Sequence, residues 1–175
     1  MKTALTALLP LLLLGGCAST PRADADTSAQ ATTFVLVRHA EKVGDGSDDP
    51  ALTVAGEARA QSLSREFADL PLSAVYSTAY RRTQQTAAPT ARSHGLTTIT
   101  YDAKQPAADF ATALRRERTG QTVLIVGHSN TVPGIASALC GCEATPMTEA
   151  EYDRLTTVRI DAQGHATLRE TKQQP

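Results

Sequence analysis

The sequence predicts an α/β domain of three layers, an α/β/α arrangement with a mainly parallel central sheet and helices on both faces. Three observations predict it. Two apolar runs rich in β-branched residues, FVLV (34–37) and VLIV (123–126), have the length and composition of fully buried strands. Between Thr33 and Leu139 strand signals alternate with helical ones, the order that builds parallel βαβ units. Each apolar run also ends abruptly in polar residues, RHAEK and GHSN, at the strand end where open α/β sheets hold their ligands.

In chain order, Thr33 to Val37 is the first strand, and GDGSDDP (44–50) a turn-rich loop. A helix follows from about Leu52 to Leu70, with Thr53 as its cap and Leu63, Phe67 and Leu70 on one face at i, i+4 and i+7. Ser73 to Tyr76 is a short strand. The next helix runs from about Tyr80 to His94, bent or interrupted at Pro89, because proline removes a helical donor. Leu96 to Tyr101 reads as a strand, Pro106 to Arg118 as a helix and Thr122 to Val126 as the second buried strand. A short helix then runs to Leu139. RLTTVRI and HATLR, joined by DAQG, form a hairpin that closes the chain.

The domain is assigned to residues 32–175. The residues before it have another purpose: Lys2 precedes an apolar run from Ala4 to Leu14, and LGGC follows, ending at Cys17. Roughly 20 apolar residues are needed to span a bilayer, so the run is too short for an anchor. It resembles a bacterial lipoprotein signal, with 1–16 as signal peptide and 17–31 as the acylated Cys17 and a small, polar tether. The resemblance implies export, several acyl chains on Cys17, and attachment to the membrane of the cell envelope at its periplasmic or outer-membrane face.

Composition excludes one class of partner. Loss of the signal takes Lys2 alone among charged residues, leaving 16 Lys and Arg against 18 Asp and Glu. A chain so balanced, with no Trp, 4 Tyr and 3 Phe, lacks both the basic face and the stacking platform of a nucleic-acid binder. Cys140 and Cys142 stand two apart. An oxidising compartment would allow a local disulfide between them, against the strain of so small a ring. Two thiols do not make a zinc site.

The two polar clusters share a chemistry. In a parallel sheet, His39 and His128 reach the same edge although 89 residues separate them. Arg38 stands beside the first, and Arg82 begins the helix after the AVYS strand. Guanidiniums bind phosphate oxygens through paired donors. A neutral imidazole among them is a competent nucleophile towards phosphorus.

RHAEK, YSTAYRRTQQTA and VGHSN together, in this order, resemble the three signature blocks of the histidine phosphatase superfamily, whose fold is phosphoglycerate mutase-like. The resemblance implies His39 as the nucleophile that becomes phosphohistidine, Arg38 as its neighbouring phosphate clamp and His128 as the second histidine. Arg82, four residues before Thr86, matches the arginine of the middle block, with Arg81 as its neighbour. Ser129 and Asn130 either present donors to the phosphate or shape the turn.

For a general acid, Asp102 at the end of a strand is the candidate, although a carboxylate there serves equally as a loop or helix cap. Glu41 is the runner-up, against pairing with Lys42 or a nearby arginine. The function implied is a phosphatase acting on a small phosphorylated substrate, with no metal or other cofactor. The alternatives are a lipoprotein that binds a phosphorylated ligand without turnover, and a phosphomutase.

Overall fold

The computed structural model describes residues 31–174. The segments read from the sequence as signal peptide (1–16) and as acylated Cys17 with its tether (17–31), Ala31 excepted, lie outside the described residues.

The chain runs β1 (Thr32–Arg38), α1 (Val54–Glu66), β2 (Leu72–Ser77), α2 (Arg81–Ser93), β3 (Thr98–Thr100), α3 (Ala107–Glu117), β4 (Thr122–Gly127), α4 (Val132–Cys140), β5 (Arg154–Ile160) and β6 (Ala166–Lys172). The strands form one sheet in the order β3-β2-β4-β1-β5-β6. β3, β2, β4 and β1 are mutually parallel, while β5 and β6 run antiparallel as a closing hairpin. The expected three-layer α/β architecture is the one observed.

The period of two along each strand divides the core. Phe34, Leu36, Val123 and Ile125 point to one face, where Phe110, Leu114, Ile135 and Leu139 of α3 and α4 cover them. Val35, Val37, Leu124 and Val126 point to the other, beneath Leu63, Ala87 and Ala91 of α1 and α2. Since both faces are covered, the two strands read as continuous apolar runs rather than alternating ones.

Several boundaries differ from the sequence expectation. α1 is shorter at both ends. Thr53 caps it by accepting from Gly56 N at 3.1 Å, and Leu52, read as helical, pairs with Lys42 in a β-bridge instead. α2 is not interrupted at Pro89, which is buried in its interior. Packing of Ala87, Thr90 and Ala91, each no more than 3% exposed, outweighs the lost helical bond. β3 keeps only three residues, as an edge strand bonded on one side. Cys140 and Cys142 are joined as a disulfide with Cα atoms 5.2 Å apart.

Candidate active site

Strand register brings the two histidines together. Arg38 pairs with Gly127 in the parallel β1–β4 ladder, so the residues that follow, His39 and His128, leave the sheet side by side. Their ring centroids lie 5.5 Å apart. His39 N donates to Gly127 O at 2.9 Å, tying the first loop to the second. Gly127 leaves no room for a side chain unless its neighbours shift: a Cβ there would lie 2.8 Å from Tyr101 Oη and 2.9 Å from Thr131 Oγ1.

Each imidazole has one nitrogen committed. His39 Nδ1 lies 2.8 Å from Ala40 O and must donate to that carbonyl, so its lone pair is on Nε2, which no described residue partners. His128 Nε2 lies 3.1 Å from Thr78 Oγ1, itself 2.7 Å from Thr83 Oγ1. Thr83 spends its single hydroxyl hydrogen on a carbonyl, that of Tyr80 at 2.7 Å. Thr78 therefore donates to Thr83 and accepts from His128 Nε2–H, and Nδ1 is the open nitrogen of His128.

Both rings are held neutral. Burial lowers His39 to about 4, opposed by the bond to Ala40 O and reinforced by Arg38, His128 and Arg82. His128 is also lowered to about 4, by burial first and then by Arg82 and Arg38.

The arginines differ in their employment. Arg38, 2% exposed, donates from Nη1 to the carbonyls of Thr148, Glu149 and Glu151 at 3.2, 2.7 and 3.2 Å. Its Nη2 bonds Glu149 Oε2 at 2.7 Å, and its guanidinium carbon sits 4.2 Å above the Tyr152 ring. Arg38 Nε is buried without a partner. Arg82, on the first turn of α2, lies over the Tyr80 ring at 4.4 Å. Its Nε and Nη1 are buried and make no hydrogen bond; Asp49 Oδ1 stands 3.8 Å from Nη1. Orphaned cationic donors are costly, and an anion in the adjoining space would satisfy them. Arg81 is exposed and does not line the cavity.

That space is a cavity of about 450 Å³ bordered by His39, His128, Arg82, Tyr80, Ser129 and Glu149. Glu149 is its sole carboxylate among the described residues. The Glu149 carboxylate accepts from the Ser129 hydroxyl as well as from Arg38. The Ser129 bond first, opposed by burial and then reinforced by the charges of Arg38 and Lys42, holds it below the usual carboxylate range.

Asp102 is not brought into this cavity. It is exposed, accepts from Lys104 N at 2.9 Å and borders a separate space of about 180 Å³ with Tyr101 and Phe110. Its local role is thus the loop cap. Glu41 is bound by Arg59 through three contacts of 2.6–3.0 Å, the pairing with an arginine weighed against an acid role. His94 at the end of α2 and His165 in the hairpin stand away from the site.

Residues 34–104 match the family model described as the histidine phosphatase superfamily, branch 1. Over that segment, which is less than half of the chain, the sequence is similar to the histidine phosphatase superfamily. The matched stretch carries Arg38, His39 and Arg82, and the β1–β4 register adds His128 from beyond it.

Solved structures align over most of the chain. The protein histidine phosphatase SixA complexed with tungstate is 18% identical with a TM-score of 0.65, the alignment covering 80% of this chain and 96% of that one. YhfR from Bacillus stearothermophilus is 17% identical with a TM-score of 0.64, covering 78% and 95%. The mycobacterial glucosyl-3-phosphoglycerate phosphatase is 12% identical with a TM-score of 0.59, covering 82% and 98%. At such identities the likeness is one of fold. No curated protein sequence matches the chain.

Sequence reasoning missed Glu149, Tyr152 and the Thr78–Thr83 pair. The first two come from the segment between α4 and β5. Because β5 runs antiparallel to β1, its first residues lie at the edge where β1 ends.

Proposed function

We propose that the protein is a phosphatase that hydrolyses a phosphomonoester through a phosphohistidine formed on His39. One observation carries the reading: His39 Nδ1 is committed to Ala40 O, so a neutral ring offers its Nε2 lone pair beside the unpartnered donors of Arg82. A phosphoryl group in the cavity would place its oxygens against those donors. Nε2 attacks phosphorus as the ester oxygen leaves, and the positive charge gained by the ring is shared with Ala40 O through Nδ1–H. The arginines neutralise charge on the equatorial oxygens, so the step requires no metal from this chain. Water then attacks the phosphohistidine, and the electron pair of the P–N bond returns to Nε2.

Mass spectrometry of the chain, quenched in acid-free buffer after mixing with 4-nitrophenyl phosphate, tests this. A phosphoryl adduct on His39, absent in His39→Ala, is expected together with released phosphate. Tight binding of inorganic phosphate with neither adduct nor release would favour a non-catalytic ligand-binding protein. Retention of the phosphoryl group on substrate would favour a mutase.

We also propose, on the grounds of the LGGC segment alone, that the domain lies outside the cytoplasmic membrane, tethered through acylated Cys17. Radiolabelled palmitate incorporated into the chain but not into Cys17→Ala is the expected result.

A further inference from the structure

A phosphomonoester with a poor leaving group needs a proton delivered as its P–O bond breaks, and neither carboxylate singled out in the sequence can deliver one. Asp102 borders another cavity, and Glu41 is consumed by Arg59. Asp49 accepts from Arg81 N at 2.8 Å and does not border the cavity. Glu149 does border it, with a side chain 79% exposed and hence free to turn, and with two contacts that a bound phosphoryl group would claim, Arg38 Nη2 and Ser129 Oγ.

We propose that Glu149 is the general acid and base of the reaction, an assignment that rests on the phosphatase reading of His39. Its carboxylate lies on Arg38 Nη2 and Ser129 Oγ, donors that suit any anion, and so at a place that phosphoryl oxygens would take. A phosphoryl dianion entering the cavity displaces it from Arg38 Nη2 and Ser129 Oγ and then stands beside it. Having lost both donors and gained a neighbour of like charge, the carboxylate takes up a proton.

The proton then has a defined course. As His39 Nε2 forms its bond to phosphorus and the P–O bond breaks, the Glu149 carboxyl gives its proton to the departing oxygen, and the neutral alcohol leaves. The Glu149 carboxylate next takes a proton from the water that attacks phosphorus. The P–N bond breaks, its electron pair returns to Nε2, and HPO4²⁻ leaves with Glu149 protonated again. Protons and charge balance over the cycle with no further reactant.

Leaving-group dependence tests the assignment. Glu149→Gln keeps the size of the side chain and an acceptor for Ser129 but cannot donate an acidic proton. Against phenyl phosphate, whose leaving group needs protonation, kcat/KM of Glu149→Gln is expected to fall about 10²–10³-fold. Against 4-nitrophenyl phosphate, whose leaving group departs as an anion, the fall is expected to stay below about tenfold. The ratio of the two is independent of the fraction of variant that folds. Equal losses on both substrates would mean that Glu149 only positions Arg38 and its loop, and no loss on either would mean that it has no role; each overturns the proposal alone. Absence of turnover of both substrates by the unsubstituted protein overturns the phosphatase reading and this proposal together.

Discussion

His128 Nε2 and Thr78 Oγ1 stand 3.1 Å apart, and the pair fixes which nitrogen of the second histidine faces the cavity. Thr78 is fully buried and its hydroxyl has both neighbours supplied by the protein, Thr83 on one side and His128 on the other. In the proposed reaction a histidine so anchored would meet a phosphoryl group through Nδ1, and it would donate there only after taking a proton, which the dianion favours.

Thr78→Val retains the shape and removes the hydroxyl. The His128 ring then loses the partner that selects its tautomer. Phosphate release is expected to fall by about tenfold, the equivalent of one hydrogen bond of about 1.4 kcal/mol. Stability should fall by about 1–2 kcal/mol, because Thr83 Oγ1 and His128 Nε2 are left buried. Steady-state kinetics and a urea melt measure the two effects separately.

Arg82 carries a different expectation. Two of its donors are buried and unpartnered, so its charge opposes folding where it serves binding. Arg82→Met should weaken inorganic phosphate at least tenfold while leaving the midpoint of thermal unfolding unchanged or higher. Arg81→Met, at an exposed position, should change phosphate affinity less than twofold. Isothermal titration and a thermal melt of both variants check it; a lowered midpoint for Arg82→Met would mean that the guanidinium supports the fold.

Acid should weaken the fold through the same two rings that keep the nucleophile ready. His39 and His128 are lowered to about 4 in the fold, against an ordinary value near 6.5. Between those values the unfolded chain binds more protons, so the contribution of each ring is fully present above about pH 6.5 and is lost as pH falls towards 4. The size is on the order of 3 kcal/mol per ring. Urea melts at pH 7.5, 6 and 5 should show stability falling over this window, and His128→Gln should flatten the fall. The fraction of His39 with a free Nε2 lone pair, by contrast, stays high down to about pH 5, so protonation of His39 should cause no loss of rate above that point.

Much of this site was legible because its residues follow two strands whose burial on both faces is written as unbroken apolar runs. Parallel pairing then does the rest: it sends Arg38, His39 and His128 to one edge whatever their separation in sequence. Arg82 was legible from the middle block, since its helix starts just past β2 at the same edge. Glu149 was not, because the direction of β5 relative to β1 leaves no trace in RLTTVRI, and an acidic residue in TEAEYD looks like solvated loop. Thr78 and Thr83 were hidden for another reason: hydroxyl chains behind a histidine depend on distances that strand and helix patterns do not encode. Of the bend or interruption read at Pro89, the interruption is absent because local propensity was weighed without the packing of Ala87, Thr90 and Ala91.

Two glycines separate support of the site from support of the fold. At Gly56, in the first turn of α1, a Cβ would lie 2.2 Å from Glu41 O, the carbonyl to which Thr53 N donates at 2.9 Å. Backbone stands on both sides of that contact, so Gly56→Ala must push α1 away from the segment after His39. At Gly127 the clash is with two side-chain hydroxyls, of Tyr101 and Thr131, and not with backbone. Thr131 Oγ1, however, accepts from His128 N at 3.0 Å, so moving it shifts the loop that carries the second imidazole. Gly56→Ala should therefore cost about 2–3 kcal/mol of stability, the upper part of the range for overpacking, and Gly127→Ala about 1–2 kcal/mol. Activity should rank the other way: at a temperature where both variants are folded, Gly127→Ala is expected to lose more of kcat/KM, since it displaces His128 directly. A Gly127→Ala variant with undiminished activity would show that the β4 loop tolerates movement and that the spacing of the two imidazoles is less tightly set than the 5.5 Å pairing implies.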